Sequence, residues 1–335
     1  MAAARVEKPA EAFVAVDGLR KQFGAIKAVD GISFSAPAGE IFGLLGPNGA
    51  GKTTTLEMIA GLLRPDGGDV TVCGYSILRH TRQAQLQLGV VPQGLALYED
   101  LTARQNLNYF AKLRGIPAEE RRRQIAEILA ITGLEKDADR KVAAFSGGMK
   151  RRLNIGIGLL GRPRVLLLDE PTVGIDPQSR RHILESVRRL AGSGMTVVYT
   201  SHYMEEVEFL CRRVAIMDRG RVIAQGPIDE VRSLAGESVH LRLPLRGAGL
   251  DDGGDAGELI DSLRRALAVP MEVAGGELRV FLPEGARQAP AVLNALVERG
   301  IPLDGMRLET PDLEAVFLAL TGKALRDPGW EAAAR

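Results

Sequence analysis

Cysteine, tryptophan and histidine are scarce in this 335-residue chain, which has two Cys, one Trp and four His. Cys73 and Cys211 stand apart from each other and from any ligand-like cluster, so they read as reduced, buried thiols and not as a disulfide framework or metal site. Long apolar runs are missing as well. Stretches such as Val165 to Leu168 fall far short of the ~18 consecutive apolar residues of a membrane span, so the chain is not expected to cross a membrane unaided. Net charge is nearly absent too, at +1. Acidic and basic residues are interleaved with no basic stripe, which argues against binding to DNA or RNA. Met1 to Ala12 contains Arg5, Glu7, Lys8 and Glu11 and lacks the apolar core of a secretory signal. A cytoplasmic location is the expectation.

What the chain does have is glycine, 39 residues of it, and one glycine-rich stretch is highly specific. Gly46, Pro47, Asn48, Gly49, Ala50, Gly51, Lys52, Thr53 and Thr54 spell a complete phosphate-binding loop. Backbone N–H groups of such a loop point inward at phosphate oxygens, with a helix N-terminus beneath them. Lys52 is placed to reach the β- and γ-phosphates, and the Thr53 hydroxyl to ligate Mg²⁺. The context agrees. Glu40 to Leu45 reads as a strand buried on both faces, and Leu56, Ile59, Ala60 and Leu63 recur at helical spacing across Thr53 to Leu63. A nucleoside triphosphate is therefore the expected ligand, though a phosphate loop alone leaves many ATPases and GTPases open.

Two further segments narrow the choice. Val165 to Leu168 is an apolar strand that ends in Asp169 and Glu170. Asp169 suits the Mg²⁺ ion, while Glu170, one residue on, faces the γ-phosphate and is the candidate general base. Ser146, Gly147 and Gly148 open a helix that carries Leu153, Ile155, Ile157 and Leu160, which makes either an anion site or a plain serine cap.

With its Phe145-Ser146-Gly147-Gly148-Met149-Lys150-Arg151-Arg152 segment, the chain resembles the ATP-binding subunits of ABC transporters, whose signature peptide is a variant of Leu-Ser-Gly-Gly-Gln. Phe145 and Met149 depart from that pattern, and the Met149 to Arg152 continuation looks like the drug-resistance-type exporter branch. The resemblance is dense from about Val14 to Gly226. It implies that Gln93, in Val91-Pro92-Gln93, senses Mg²⁺ and the attacking water, and that His202, in Thr200-Ser201-His202, is the switch histidine. It implies a dimer-interface role for Asp176, in Gly174-Ile175-Asp176, and an adenine-stacking role for Phe23, which otherwise reads as a core aromatic. Two copies would face each other head to tail, with Ser146, Gly147 and Gly148 of one contacting the γ-phosphate held by the other. A separate polytopic membrane permease would turn ATP-driven closure into transport, and it would hold the subunit at the cytoplasmic face of the cell membrane. A soluble ABC ATPase acting on nucleic acid or ribosomes is the alternative. It is disfavoured by the lack of a long heptad insertion between Lys52 and Asp169 and of a second tandem cassette.

The length favours two domains. Residues 13–235 alternate strand and helix as an α/β P-loop NTPase core. Val90-Val91, Thr196 to Thr200 and Val214 to Met217 are further buried strands, and the helical stretch 94–161 reads as an inserted subdomain. Phe13 to Val16, Ile32 to Phe34, Val70 to Val72 and Val222 to Ala224 are expected in an antiparallel sheet beside the main one. A helix over Pro227 to Leu234 precedes the boundary near Gly236. From there on, 11 Lys/Arg against 16 Asp/Glu leave an acidic balance of −5. The pattern over 236–323 is βαββαβ, with a helix at Leu259 to Leu267 and a last strand at Leu303 to Glu309, as in a small α+β, ferredoxin-like sandwich, followed by a helix from Leu313 to Leu320. Its Asp312 to Gly322 segment resembles the closing stretch of the same exporter branch, which implies dimerisation or regulation. A helix that merely packs on its own domain fits equally. The loop Gly247 to Asp255 and the tails 1–12 and 324–335 belong to no regular element.

Overall fold

The computed structural model describes residues 12–234, 239–244, 262–264, 267, 269–274, 276–282, 287–309 and 312–322. These residues form two compact units that divide between Ile228 and Asp229. The division falls within the helix α8 (Ile228–Ser233), after its first residue, whereas the sequence pattern places the boundary just after that helix. The loop 247–255, residue 236 and nearly all of both tails lie outside the described residues.

Two sheets build the first unit. The larger has the order β10-β9-β3-β8-β7-β6, with β3 (Ile41–Leu45), β6 (Leu88–Val91), β7 (Val165–Asp169), β8 (Thr196–Ser201) and β9 (Arg213–Asp218) all parallel. β3, β7 and β8 are buried along their whole length, which is why they read as unbroken apolar runs and do not alternate. The second sheet has the order β2-β1-β4-β5, formed by β1 (Ala12–Phe23), β2 (Ile26–Pro37), β4 (Gly67–Val72) and β5 (Tyr75–Ser76), all antiparallel. Between them lie α1 (Lys52–Ile59) and a shared core in which Phe34 of β2 stacks on Phe42 of β3, ring centroids 5.0 Å apart.

One expected strand changes sheets. Val222 to Ala224 falls within β10 (Arg221–Pro227), which pairs antiparallel with β9 at the edge of the large sheet. Its half-exposed pattern marks an edge position, and that pattern is the same in either sheet. Helix α1 also ends sooner than its apolar spacing suggests, because Gly61 follows it with a φ of +66°.

Helices α3 (Ala103–Leu113), α4 (Ala118–Thr132) and α5 (Gly147–Gly158) make the inserted subdomain. A Thr102/Gln105 capping box starts α3, and Gly133 ends α4 in the left-handed conformation. α5 packs closely on its neighbours: a Cβ at Gly156 would lie 2.8 Å from Ile128 and 3.7 Å from Leu107. The remaining helices, α2 (Thr81–Leu86), α6 (Pro177–Gly192) and α7 (Met204–Leu210), flank the large sheet's strands in sequence. Cys211 is buried and Cys73 half-buried, both are free, and burial raises both thiols above their ordinary range. No helix among the described residues is long and apolar enough to cross a membrane.

In the second unit, β11 (Val239–Pro244), β12 (Met271–Ala274), β13 (Glu277–Leu282) and β14 (Arg307–Glu309) form an antiparallel sheet in the order β12-β13-β11-β14. The first and third strands of the unit are thus adjacent at its centre. Leu241, Leu243, Leu278, Val280 and Leu282 share a core with Val292 and Leu296 of α9 (Ala289–Glu298). A last helix, α10 (Leu313–Thr321), follows, capped by Asp312. Only 307–309 of the stretch expected as the last strand pair into the sheet, and most of the helix expected over 259–267 lies outside the described residues.

Candidate active site

Parallel register brings the important strand ends into line. Leu45 pairs with Ser201, Asp169 with Thr200, and Val91 with Leu168. The segments that leave β3, β8, β7 and β6 therefore emerge side by side at the carboxyl edge of one sheet, the usual place for a ligand crevice in such folds.

The loop from Gly46 to Gly51 leaves β3 and turns directly into α1. Gly46 and Gly51 are required by the protein's own backbone. A Cβ at Gly46 would overlap the Met217 carbonyl, and one at Gly51, where φ is +101°, would overlap the Ala28 carbonyl. Gly220 N–H also donates to the Ala50 carbonyl at 3.0 Å, so the β9–β10 turn braces the loop from outside. Lys52, only 5% exposed, folds back to donate to the carbonyls of Gly46 (2.7 Å) and Pro47 (3.1 Å). The same ammonium lies 2.9 Å from Oε1 of Glu170.

Thr53 Oγ1 donates to Asp169 Oδ2 at 2.8 Å, and Thr200 Oγ1 donates to Asp169 Oδ1 at 2.7 Å. The Thr200 hydroxyl in turn accepts from the Glu170 N–H at 2.9 Å, so one side chain holds the Asp169 carboxylate and the Glu170 backbone together. Glu170 has a φ of +42°, a strained conformation for a residue with a side chain. Burial alone would raise its pKa, but the adjacent His202 ring and the Lys52 ammonium outweigh burial and hold it down at about 2. Nδ1 of His202 lies 3.2 Å from Oε2 of Glu170, close enough for charge to act but without the alignment of a hydrogen bond. Gln93, two residues beyond β6, donates its amide to the same Oε2 at 3.3 Å.

The cleft above these groups is lined by Phe23, Ile26, Lys27, Ala28, Asn48, Gly49, Gly51, Lys52, Thr53, Thr54, Gln93, Glu170 and Arg219. Phe23 is 49% exposed there, so it is no core residue, and the Lys21 ammonium lies over its ring, 5.6 Å from the centroid. Ile26, Lys27, Ala28 and Arg219 went unread in the sequence, as did the Thr200 clamp. Arg219-Gly220 in a hairpin turn, and a threonine one residue before Ser201-His202, were the available signals. The metal expectation passes a chemical test. The hydroxyl of Thr53 and the carboxylate of Asp169 are hard oxygen donors held together, and no cluster of three or more His, Cys, Asp or Glu occurs among the described residues. Mg²⁺ suits such a set, because it takes one or two carboxylates and completes its shell with phosphate and water.

Ser146, Gly147, Gly148 and Asp176 do not line that cleft. Ser146 caps α5, accepting from Met149 N–H at 3.3 Å, and both Ser146 and Gly147 are exposed. Asp176 caps α6 by accepting from Ser179 N–H at 2.9 Å, a bond that lowers its pKa. The two caps meet, for a Cβ on Gly148 would overlap the Ser179 side chain. The arrangement is one cleft with a complete phosphate loop and, apart from it, a helix N-terminus that faces solvent.

Residues 29–173 match the family described as ABC transporter. The linearmycin resistance ATP-binding protein LnrL of Bacillus subtilis is 45% identical over 93% of this chain and 99% of its own length. The Nod factor export ATP-binding protein I of Ralstonia nicotianae is 42% identical over 94% of this chain and 95% of its own. Among solved structures, a dimeric post-hydrolysis state of the ATP-binding cassette MJ0796 bound to ADP and Pi superposes with a TM-score of 0.58 at 26% identity, covering 64% of this chain and 98% of that one.

Proposed function

This chain belongs to the ABC transporter family, and from that premise we propose that it is the ATP-binding and ATP-hydrolysing subunit of an exporter. The observation that carries the reading is the meeting of Lys52, Thr53, Asp169, Glu170 and Gln93 at aligned strand ends. Relatives over nearly the whole chain serve resistance and export, which favours an exporter over a soluble ATPase working on nucleic acid or ribosomes.

In this mechanism the Phe23 ring stacks on adenine and the loop N–H groups bind the phosphates. Thr53 and Asp169, with Gln93 beside them, would hold a Mg²⁺ ion whose charge neutralises the phosphate oxygens. Lys52 serves as a point charge for the β- and γ-phosphates. Its transfer from Glu170 to phosphate removes one of the two groups, with His202, that keep Glu170 a weak base. Glu170 then accepts a proton from the water that attacks γ-phosphorus, and the bond to the ADP oxygen breaks. His202, beside the same carboxylate, orients the attacked phosphate. Ser146, Gly147 and Gly148 are free to contact the γ-phosphate of a second copy placed head to tail, with Asp176 at the interface. The second unit is an accessory domain to which no catalytic step is assigned. Coupling runs to a separate polytopic permease, which anchors the subunit at the cytoplasmic face of the membrane.

Glu170→Gln is the test: ATP affinity is retained while turnover falls about 10²–10⁴-fold. Unchanged turnover would overturn the assignment. Co-purification from solubilised membranes is expected to capture a polytopic membrane protein that raises ATP hydrolysis. Ribosomes or nucleic acid in its place would refute the transporter reading.

A further inference from the structure

Glu206, on α7, is 3% exposed and is absent from the lining of the cleft, yet three hydroxyl groups converge on its carboxylate. Thr172 Oγ1 donates to Oε1 at 2.6 Å, while Tyr199 OH and Ser201 Oγ donate to Oε2 at 2.8 and 3.0 Å. Arg180 of α6 brings its Nε within 3.5 Å of Oε1, and its guanidinium lies 4.6 Å from the centroid of the Tyr203 ring. A buried carboxylate is costly unless it is satisfied in this way.

The donors sit at telling places in the chain. Thr172 follows Glu170 by two residues, and Ser201 immediately precedes His202. Ser201 Oγ also accepts from the Tyr203 N–H at 2.9 Å, so the backbone is held on both sides of His202. Glu170 keeps a left-handed φ of +42°, and a strained residue of this kind, at a cost of about 1–3 kcal/mol, persists only where its flanks are pinned. On the near side the pin is the Thr200 hydroxyl, and on the far side it is Thr172 bound to Glu206.

We propose that Glu206 is a positioning residue for the ATPase reaction. Through the hydroxyls of Thr172 and Ser201 it holds Glu170 and His202 in their mutual placement, so that one buried carboxylate sets the geometry of the base and of the histidine beside it. The proposal rests on Glu170 acting as the base.

The experiment is steady-state ATP hydrolysis by the full chain carrying Thr172→Val, which deletes one hydroxyl, and Thr172→Ser, which keeps it. Thr172→Val is expected to lower kcat about tenfold to a hundredfold, with KM for ATP held within about twofold, because misplacement by a fraction of an ångström acts on the chemical step. Thr172→Ser should restore turnover to within about threefold of the parent. In the Glu170→Gln background Thr172→Val should cost less than about twofold more, since residues that act as a unit are not additive. Tyr199→Phe, which retains the buried ring and removes another donor to Glu206, should shift kcat in the same direction and decides the matter should Thr172→Val fail to fold. Turnover near the parent's in these variants, while Glu170→Gln has lost its own, would overturn the proposal. So would effects that multiply in the double variant. A Glu170→Gln protein with full turnover would overturn the ATPase assignment and this proposal with it.

Discussion

Lys52 Nζ lies 2.9 Å from Glu170 Oε1, and the two residues are 5% and 6% exposed. This contact joins the phosphate loop to the strand end opposite it, and it ties the protonation of Glu170 to the stability of the fold.

Glu170 has its pKa lowered from the ordinary 4.5 to about 2, so between those values the unfolded chain binds the extra proton. The stabilisation is therefore complete above pH 4.5 and lost as pH falls toward 2, and it amounts to on the order of 3 kcal/mol. Urea denaturation across that window should show the parent losing stability relative to Glu170→Gln as acid is added. A constant difference between the two proteins would contradict the lowering of the Glu170 pKa by His202 and Lys52.

Gly49 and Gly51 both have positive φ, +79° and +101°, but only Gly51 faces a carbonyl that a Cβ would strike. Gly49→Ala should cost about 1 kcal/mol in denaturant titrations, the strain of a left-handed residue. Gly51→Ala should cost about 2 kcal/mol or more and also abolish ATP binding. Equal losses would mean that backbone conformation alone decides the loop.

Phe23, half-exposed at the cleft, should matter to nucleotide and not to folding. Phe23→Ala should weaken ATP binding by about threefold to tenfold, as loss of one stacking face does. Its stability change should stay within about 0.5 kcal/mol, and Phe23→Tyr should bind as the parent does. Unaltered affinity in the alanine variant, read by calorimetry, would remove Phe23 from the site.

Ser146 caps α5 on the surface, away from the chain's own cleft. Ser146→Arg sets a cation against the helix N-terminus. ATP affinity of each subunit should stay within about twofold, since the two sites are independent within one chain. The ATP-dependent dimer of the Glu170→Gln protein, followed by light scattering, should disappear. Mixing Ser146→Arg with Lys52→Ala subunits should recover one composite site, and failure to form any mixed dimer would count against the head-to-tail arrangement.

The amino-acid sequence by itself determined the pieces whose chemistry is local. The phosphate-loop pattern Gly46 to Thr54, the acidic strand end Asp169-Glu170 and the helix start at Ser146 are legible in residue type and spacing, and β3, β7 and β8 announce themselves as apolar runs because both their faces are covered. Tertiary structure decided everything that depends on pairing between distant segments. Val222 to Ala224 shows the same half-exposed pattern in either sheet, and only its ladder with Arg213–Asp218 assigns it. The reason for Gly46 lies at the Met217 carbonyl, far along the chain, and Thr200 and Glu206 become important only when parallel register sets Asp169 beside Thr200 and folding brings Thr172, Tyr199 and Ser201 to one carboxylate. Hydrogen bonds and steric overlap act over a few ångströms of space whatever the separation in sequence, so a motif can show what a segment is built to do while its partners appear only in the fold.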